Sequence, residues 1–296
     1  MKAKPKFFLL AGINGAGKST FYEDRLKPLG LPFINADHIA ATLDPKNATH
    51  SDEISLQAQK LAEQLRTHHL QEKKSFVSET VFSHHSKVDL IKEAQDAGFV
   101  VTLIFINLPS SDLAQHRVIQ RSQKGGHDVP PDKISSRYPR VMENIVAAKS
   151  IPDHFFVFDN NRRDKPHTFL MHLKKGIVDR VSEYQPTWAI QMFPVEYQTN
   201  QIRKILLEKE KEIRFTTREC GSFQKAVKKI LPLFDQNLYI PAAFQQIEKE
   251  FTMPALRHRS NALSCEEYSS VIKRPESSEI KWTNPSETQK GRGFRR

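Results

Sequence analysis

Residues 12–20 read Gly12-Ile13-Asn14-Gly15-Ala16-Gly17-Lys18-Ser19-Thr20, which matches the phosphate-binding pattern G-x-x-x-x-G-K-[ST]. The apolar run at residues 7–11 precedes it and predicts a buried strand, and a helix-compatible stretch follows it to Leu26. The pattern requires this order of strand, loop and helix. Main-chain N–H groups of such a loop, and the helix N-terminus behind it, attract phosphate oxygens. The sequence therefore predicts a nucleoside triphosphate site here.

Two side chains of this loop are expected to do more than shape it. Lys18 adds a full positive charge for the phosphates, and the Ser19 hydroxyl is the predicted ligand of Mg²⁺. The sequence has no Asn-Lys-x-Asp guanine signature, so we expect ATP as the donor. The residues predicted to bind ATP are Gly12, Asn14, Gly15, Ala16, Gly17, Lys18, Ser19 and Thr20.

After the loop, short apolar runs alternate with stretches of helical spacing. This order predicts an α/β fold with a doubly wound parallel sheet of about five strands, in which ligands bind beyond the carboxyl ends of the strands. Residues 168–182 predict a short hairpin that ends the core. The later strands are predicted at residues 32–35, 75–80, 99–106 and 154–159, and the helices at 51–73, 85–97, 110–121 and 134–149.

Composition suggests two units in the chain of 296 residues. We predict a nucleotide-binding domain over residues 1–190 and a mostly helical, basic extension over residues 191–296, whose C-terminal part is disordered. The net charge is +11, and the basic excess is denser in the extension. A basic balance favours polyanions, so nucleic acid is a conceivable partner of the extension, although we do not favour it.

The distribution of apolar residues also bears on location. No apolar run approaches the ~18 residues that a membrane-spanning helix needs, and the N-terminus shows no export pattern. We therefore expect a cytoplasmic enzyme without a membrane partner.

Polar side chains follow the second and third predicted strands. Asp37 lies where a phosphotransferase places the carboxylate that takes a proton from the acceptor hydroxyl, although it could instead be the N-cap of a short helix at residues 38–42. Glu79 and Thr80 end the third strand and are predicted to hydrogen-bond the acceptor, unless they form an ordinary strand terminus.

Arginines flank a Gly125-Gly126 segment that predicts a lid between two helices. Planar guanidinium groups suit the charge that develops on the phosphates during transfer, although most helix arginines are only solvated. We favour Arg121 and Arg137 over Arg117 and Arg140 as catalytic residues. After the fifth strand, Asn160 and Asn161 suggest either a contact with the nucleotide base or a turn.

The nucleotide loop, Phe33-Ile34-Asn35-Ala36-Asp37, Ser78-Glu79-Thr80, Gly125-Gly126-His127-Asp128-Val129-Pro130 and Arg137-Tyr138-Pro139-Arg140 together resemble the zeta toxin family of P-loop kinases. Order and spacing agree over about residues 5–182. The resemblance implies a bacterial ATP-dependent kinase that phosphorylates a sugar hydroxyl of UDP-N-acetylglucosamine and is often restrained by an antitoxin. The stretch between the second strand and the lid looks shorter than in the larger toxins, and the tail from residue 191 has no recognised counterpart.

By this resemblance, Lys18 and Ser19 would bind phosphate and Mg²⁺, and Asp37 would be the catalytic base. Glu79 with Thr80 would hold the acceptor, and Arg121 and Arg137 would correspond to the lid arginines.

Two alternatives stay open at this point. The protein could be a P-loop kinase of another hydroxyl, for instance on an antibiotic, on NAD or at a polynucleotide 5′ end. It could also be a nucleic-acid-binding protein with a degenerate nucleotide site, which the basic extension would suggest.

Overall fold

The structure, a computed structural model, describes residues 3–45, 52–123, 129–231 and 241–252. A seven-stranded sheet lies at the centre of this part of the chain. Its strands are β1 (Lys6–Ala11), β2 (Phe33–Ile34), β3 (Phe76–Thr80), β4 (Val100–Asn107), β5 (His154–Asp159), β6 (Thr168–Lys174) and β7 (Ile177–Val181). Their order across the sheet is β2-β3-β1-β4-β5-β6-β7.

The first five strands are parallel, which confirms the predicted fold class. β1, β4 and β5 are apolar along nearly their whole length and are buried after their first residue, as strands covered on both faces must be. The predicted hairpin of β6 and β7 does not merely end the core. It pairs antiparallel with β5 and extends the sheet.

Helices cover both faces of this sheet and continue beyond it. α1 (Lys18–Phe21) passes into a π-helical turn, Tyr22–Leu26, so the helical stretch reaches Leu26 as the sequence predicts. A 3-10 turn, Lys27–Leu29, follows and ends at Gly30. Residues 194–220 form two helices and not one, because Lys209 leaves the helical conformation between them. The remaining helices are α2 (Ala36–Leu43), α3 (Asp52–Gln71), α4 (Ser86–Asp96), α5 (Ser111–Ser122), α6 (Pro131–Ala148), α7 (Thr187–Met192), α8 (Pro194–Glu208), α9 (Glu210–Cys220), α10 (Phe223–Ile230) and α11 (Pro241–Thr252).

The buried apolar side chains among the described residues form two hydrophobic clusters of unequal size. The larger one surrounds the sheet and includes Phe193 and Tyr197, from the start of α8. The smaller one joins α8 to α11 through residues such as Ile202, Phe223 and Ile247. The predicted boundary at residue 190 remains a prediction, but Phe193 and Tyr197 pack with the sheet and not with the helical extension.

Two of the features predicted from the sequence lie outside the described residues. The predicted disordered tail lies outside the described residues, as do Gly125 and Gly126 of the predicted lid. No helix in the described part of the chain combines the length and the apolar character needed to cross a membrane.

Candidate active site

The phosphate-binding loop links β1 to α1 at the carboxyl edge of the sheet. Gly17 is the N-cap of α1 in the left-handed region, with φ +93°, which disfavours any residue with a side chain. A Cβ there would also collide with the side-chain amide of Asn160. The backbone and its neighbours therefore both require glycine at this position.

Glu79, at the end of β3, connects the loop to the second strand. Its Oε1 lies 3.5 Å from Lys18 Nζ, and its Oε2 accepts a hydrogen bond from Ser19 Oγ at 3.2 Å. Asn35 Nδ2 donates to the same Oε2 at 3.0 Å. Glu79 is close to the loop because β1 and β3 are parallel neighbours. Their register pairs Ala11 with Thr80 and brings the two strand ends together. Lys18 also donates to the Ile13 carbonyl at 3.2 Å, which leaves one ammonium proton for a further acceptor.

Asp37 lies in the first turn of α2 with its side chain exposed. The N-cap of that helix is Asn35, whose Oδ1 accepts hydrogen bonds from the N–H groups of Asp37 and His38 at 2.7 and 3.4 Å. The alternative interpretation of Asp37 as the helix cap is thus wrong. Its carboxylate is not used by the cap and lines the same cavity as Lys18 and Glu79.

Thr80 closes the turn after β3. Its Oγ1 accepts a hydrogen bond from the N–H of Phe82, a buried residue in the left-handed region with φ +67°. The hydroxyl proton of Thr80 is not used by that bond, and the residue lines the cavity beside Glu79.

The predicted lid arginines occupy different positions. Arg137 of α6 lines the cavity, and its Nη1 donates to Asn14 Oδ1 of the loop at 3.4 Å. Arg121 is exposed near the end of α5 and is not among the residues lining that cavity. Arg140 is also exposed and donates to the carbonyl of Ser136. Arg117 donates to the Asn160 carbonyl at 2.7 Å, and burial lowers the pKa of its guanidinium.

Two polar residues between β5 and β6, Asn160 and His167, contact the phosphate-binding loop. Asn160 Nδ2 donates to the Ala16 carbonyl at 2.8 Å, and its Oδ1 accepts from the His167 N–H at 3.1 Å. The His167 ring nitrogen Nε2 lies 3.0 Å from the Gly17 carbonyl, and this bond requires the proton on Nε2. The two roles considered for Asn160, a contact with the base and a turn, remain predictions. The described contacts give this residue another role, which is to hold the conformation of the phosphate-binding loop.

The cavity has a volume of about 1140 Å³ and runs from the loop towards α3 and α4. Its lining includes Lys18, Glu79 and Arg137, and also Glu63 and Arg66 of α3 and Lys87 of α4. This size exceeds what a triphosphate group alone would fill and leaves space for a second substrate beside it.

The side-chain oxygens beside the phosphate-binding loop are suitable ligands for a hard cation. Ser19 Oγ and Glu79 Oε2 are 3.2 Å apart, and Mg²⁺ prefers oxygen ligands together with phosphates and water. The described residues hold no cluster of three or more His, Cys, Asp or Glu side chains suited to a metal. Ser19 and Glu79 are therefore the side chains that would hold Mg²⁺ here.

A phosphate-binding loop at the carboxyl edge of a parallel sheet, opening into a cavity with a free carboxylate, is the arrangement of a P-loop kinase. The model of the Zeta toxin family matches residues 1–168, more than half of the chain. The chain therefore belongs to the Zeta toxin family and is a P-loop phosphotransferase.

Individual similar proteins are more distant. An uncharacterised protein of Haemophilus influenzae is 29% identical over 136 residues, which are 45% of this chain and 92% of that protein. A structure from the PezAT chromosomal toxin-antitoxin system of Streptococcus pneumoniae is 15% identical, with a TM-score of 0.45, and the match covers 67% of this chain and 86% of that one. The structure of AvrRxo1-ORF1 with AvrRxo1-ORF2 and sulphate ions is 20% identical, with a TM-score of 0.46 and 61% of each chain covered.

Some site residues were not found from the sequence. Asn35 was quoted only as part of a motif, although an Asx residue two positions before Asp37 is a typical helix N-cap. Arg66 and Lys87, which also line the cavity, were not found from the sequence, because isolated cations on amphipathic helices are usually solvated.

Proposed function

We propose that this protein is an ATP-dependent kinase that transfers the γ-phosphate to a sugar hydroxyl of a nucleotide sugar such as UDP-N-acetylglucosamine. The observation that carries the proposal is the convergence of the phosphate-binding loop, the free carboxylate of Asp37 and the Glu79-Thr80 strand end on one cavity. Membership of the Zeta toxin family supports the same class of reaction.

In this proposal the residues of the loop bind the phosphates of ATP, with Gly12, Asn14, Gly15, Ala16, Gly17 and Thr20 around the side chains of Lys18 and Ser19. Lys18 neutralises charge on the β- and γ-phosphates. Bound Mg²⁺, held by Ser19 and Glu79, would supply further neutralisation of the same oxygens.

Asp37 is the proposed catalytic base. Its carboxylate accepts the proton of the acceptor hydroxyl while the hydroxyl oxygen bonds to the γ-phosphorus. The bond between that phosphorus and the β,γ-bridging oxygen breaks, and ADP leaves. Thr80 orients the acceptor hydroxyl, and Glu79 adjoins it from the phosphate side.

Arg137 is the proposed donor to the γ-phosphate, and its hydrogen bond to Asn14 of the loop supports this role. Arg121 is proposed for the same task, and it would need to approach from the end of α5. A guanidinium that contacts the transferring group stabilises charge without taking part in proton transfer. A cytoplasmic location and restraint by an antitoxin protein remain proposals that follow from the family.

Phosphorus NMR of the full-length protein with ATP, Mg²⁺ and UDP-N-acetylglucosamine tests this function. We expect a new phosphomonoester resonance to appear as the ATP γ resonance declines. Unchanged ATP, or hydrolysis to inorganic phosphate without a new ester, would exclude this acceptor. Labelled ATP with a panel that includes NAD, aminoglycosides and polynucleotide 5′ ends would then separate the remaining acceptor classes.

A further inference from the structure

Asn35 is the single residue between β2 and α2, and it is only 5% exposed. The parallel register of β2 and β3 pairs Ile34 with Ser78, and the Ser78 hydroxyl donates to the Ile34 carbonyl at 3.1 Å. The residues that follow this pair in the chain are Asn35 and Glu79. Strand pairing therefore brings the Asn35 side chain beside the Glu79 carboxylate, where its Nδ2 donates to Oε2 at 3.0 Å.

The oxygen of the same amide holds the start of α2. Asn35 Oδ1 accepts hydrogen bonds from the main-chain N–H groups of Asp37 and His38, at 2.7 and 3.4 Å. Main-chain N–H groups only donate and a carboxylate only accepts, so these partners fix the orientation of the amide. One buried side chain thus uses its oxygen for the helix that carries Asp37 and its nitrogen for Glu79.

Glu79 extends this chain of contacts to the phosphate-binding loop. Its carboxylate lies 3.5 Å from Lys18 Nζ and accepts from Ser19 Oγ at 3.2 Å. Asn35 therefore joins the backbone of Asp37 to the carboxylate that contacts both polar side chains of the loop. Capping alone does not require the nitrogen of the amide, because serine and aspartate cap helices about as well as asparagine.

The packing of α2 explains why such a joint matters. The helix has eight residues and none of them is buried. Ala36 and Ile39 are only partly buried where they pack against the core. Apolar burial, which fixes most helices on a sheet, is therefore small here. The hydrogen bonds of Asn35 consequently carry a large share of the attachment of α2 at its first turn.

We infer that Asn35 is a positioning residue, which sets the place of the Asp37 carboxylate relative to Lys18, Ser19 and Glu79. This inference rests on the proposed function, because it takes Asp37 as the base. Asn35 itself transfers no proton. Its contribution to the rate comes from geometry, since a misplacement of about 1 Å in a reacting group can slow a reaction by about 100-fold.

Asn35→Ser and Asn35→Asp separate this role from capping. Both variants keep a good N-cap, but serine lacks the reach of the amide, and aspartate offers Glu79 a second negative charge and no proton. The rate is the release of phosphate from γ-labelled ATP by the full-length protein with Mg²⁺ and no added acceptor, so that water takes the place of the acceptor hydroxyl. We expect both variants to be about 10- to 100-fold slower than wild type.

Two further measurements accompany the rate. Affinity for a non-hydrolysable ATP analogue should stay within about threefold in Asn35→Ser, because the residues of the loop are unchanged. Ser222→Ala is the matched control, since Ser222 caps α10 in the helical extension by accepting from the Lys225 N–H at 3.4 Å. That variant should lower the melting temperature and leave the rate unchanged. A purely capping role of Asn35 would give wild-type rates in Asn35→Ser and Asn35→Asp, and would overturn the inference.

Hydrogen exchange decides if hydrolysis without an acceptor is too slow to detect. Exchange over residues 33–44, in the complex with Mg²⁺ and the ATP analogue, should be about tenfold faster in Asn35→Ser than in wild type, and unchanged in Ser222→Ala. Equal exchange in Asn35→Ser and wild type would overturn the inference. If Asn35→Ser fails to fold, Asn35→Asp takes its place in both measurements.

These results are distinguishable from the test of the acceptor. Slower hydrolysis in both Asn35 variants, with no phosphorylation of UDP-N-acetylglucosamine by wild type, supports the positioning role and excludes that acceptor. Phosphorylation of UDP-N-acetylglucosamine at the wild-type rate by both variants overturns the positioning role and leaves the proposed function standing.

Discussion

The side-chain amide of Asn160 donates a hydrogen bond to the main-chain carbonyl of Ala16, which lies 144 residues earlier in the chain. The contact joins the end of β5 to the phosphate-binding loop, two elements that β4 separates in the sheet. Because Asn160 also accepts from the His167 N–H, one buried side chain fixes both the loop and the segment that leads into β6. The conformation of the nucleotide loop thus depends on a residue that the loop sequence does not contain.

Asn160→Ala should loosen the phosphate-binding loop without changing any residue of the loop itself. The substitution leaves the Ala16 carbonyl and the His167 N–H unsatisfied, and each such buried group costs about 1–3 kcal/mol. We expect a lower melting temperature and weaker binding of an ATP analogue, measured by thermal unfolding and calorimetry. Asn161→Ala is the neighbouring control, since its side chain is exposed. Equal effects of the two variants would contradict the role of Asn160.

Glu79→Gln distinguishes a role of Glu79 in holding Mg²⁺ from a role in binding the acceptor. Loss of the negative charge beside Lys18 and Ser19 should raise the Mg²⁺ concentration required for half-maximal transfer by about 10- to 100-fold. The acceptor KM should change much less. A raised acceptor KM with an unchanged Mg²⁺ requirement would instead assign Glu79 to the acceptor, as the sequence predicts. Steady-state kinetics with Mg²⁺ and acceptor varied separately distinguishes the two results.

Phe193→Ala tests where the kinase core ends. Phe193 lies beyond the predicted boundary at residue 190, but it is fully buried with the sheet and its ring contacts that of Phe155, with centroids 5.9 Å apart. Truncation of a buried phenylalanine costs about 3–5 kcal/mol, so urea unfolding should show a large loss of stability. Phe215→Ala is the matched control, because that side chain is 64% exposed and should cost little. Similar stability of both variants would support the boundary at residue 190.

The central sheet, and the proximity of site residues that are distant in the chain, could be predicted from the sequence. Short, β-branched apolar runs such as residues 100–106 are typical of buried strands, and parallel strands between helices bring their carboxyl ends to one edge. That single rule places Asp37 and Glu79 beside Lys18, although up to 61 residues separate them in the chain.

Side-chain direction and partner choice could not be predicted in the same way. A helix pattern with Ala58, Ala62 and Arg66 does not say whether Arg66 reaches solvent or a cavity, because this depends on how α3 packs. Asn160 has the composition of a turn residue, and its bond to Ala16 arises only from tertiary structure. Asn35 and Asp37 both qualify as helix caps, and the backbone decides between them.

Because His172 is buried, we expect the free energy of unfolding to decrease in weak acid. His172 is fully buried on β6, and its Nε2 lies 3.1 Å from His154 Nδ1 and its Nδ1 lies 3.0 Å from Asp179 Oδ2. Among the described charged residues, Arg180 is its register partner on β7, and Lys174 acts to lower its pKa. Burial lowers the pKa of His172 below its ordinary value of 6.5, although the Asp179 carboxylate opposes the shift. The unfolded chain therefore binds the proton first as pH falls, and stability decreases below about pH 6.5.

The measurement is the free energy of unfolding in urea at pH 7.5 and pH 5.5 for wild type and His172→Gln. We expect wild type to lose more stability over this interval than the variant, which has no proton to take up at position 172. Each pH unit contributes at most about 1.4 kcal/mol to the difference. A variant with the same pH dependence as wild type would show that other groups cause the acid sensitivity.

Asp37→Asn is the decisive test of the proposed chemistry. Asparagine keeps the size of the side chain and removes its basicity, and the N-cap of α2 stays intact because Asn35 provides it. ATP-analogue affinity should remain within a few-fold, while transfer should fall by about 10²- to 10⁴-fold, the usual contribution of a general base. Lys18→Ala should differ by weakening ATP binding and transfer together, since its ammonium neutralises the phosphates directly. Calorimetry and single-turnover transfer to the true acceptor provide both quantities. Near-normal transfer by Asp37→Asn would remove Asp37 from the mechanism, because no loss of the helix cap could then obscure the result.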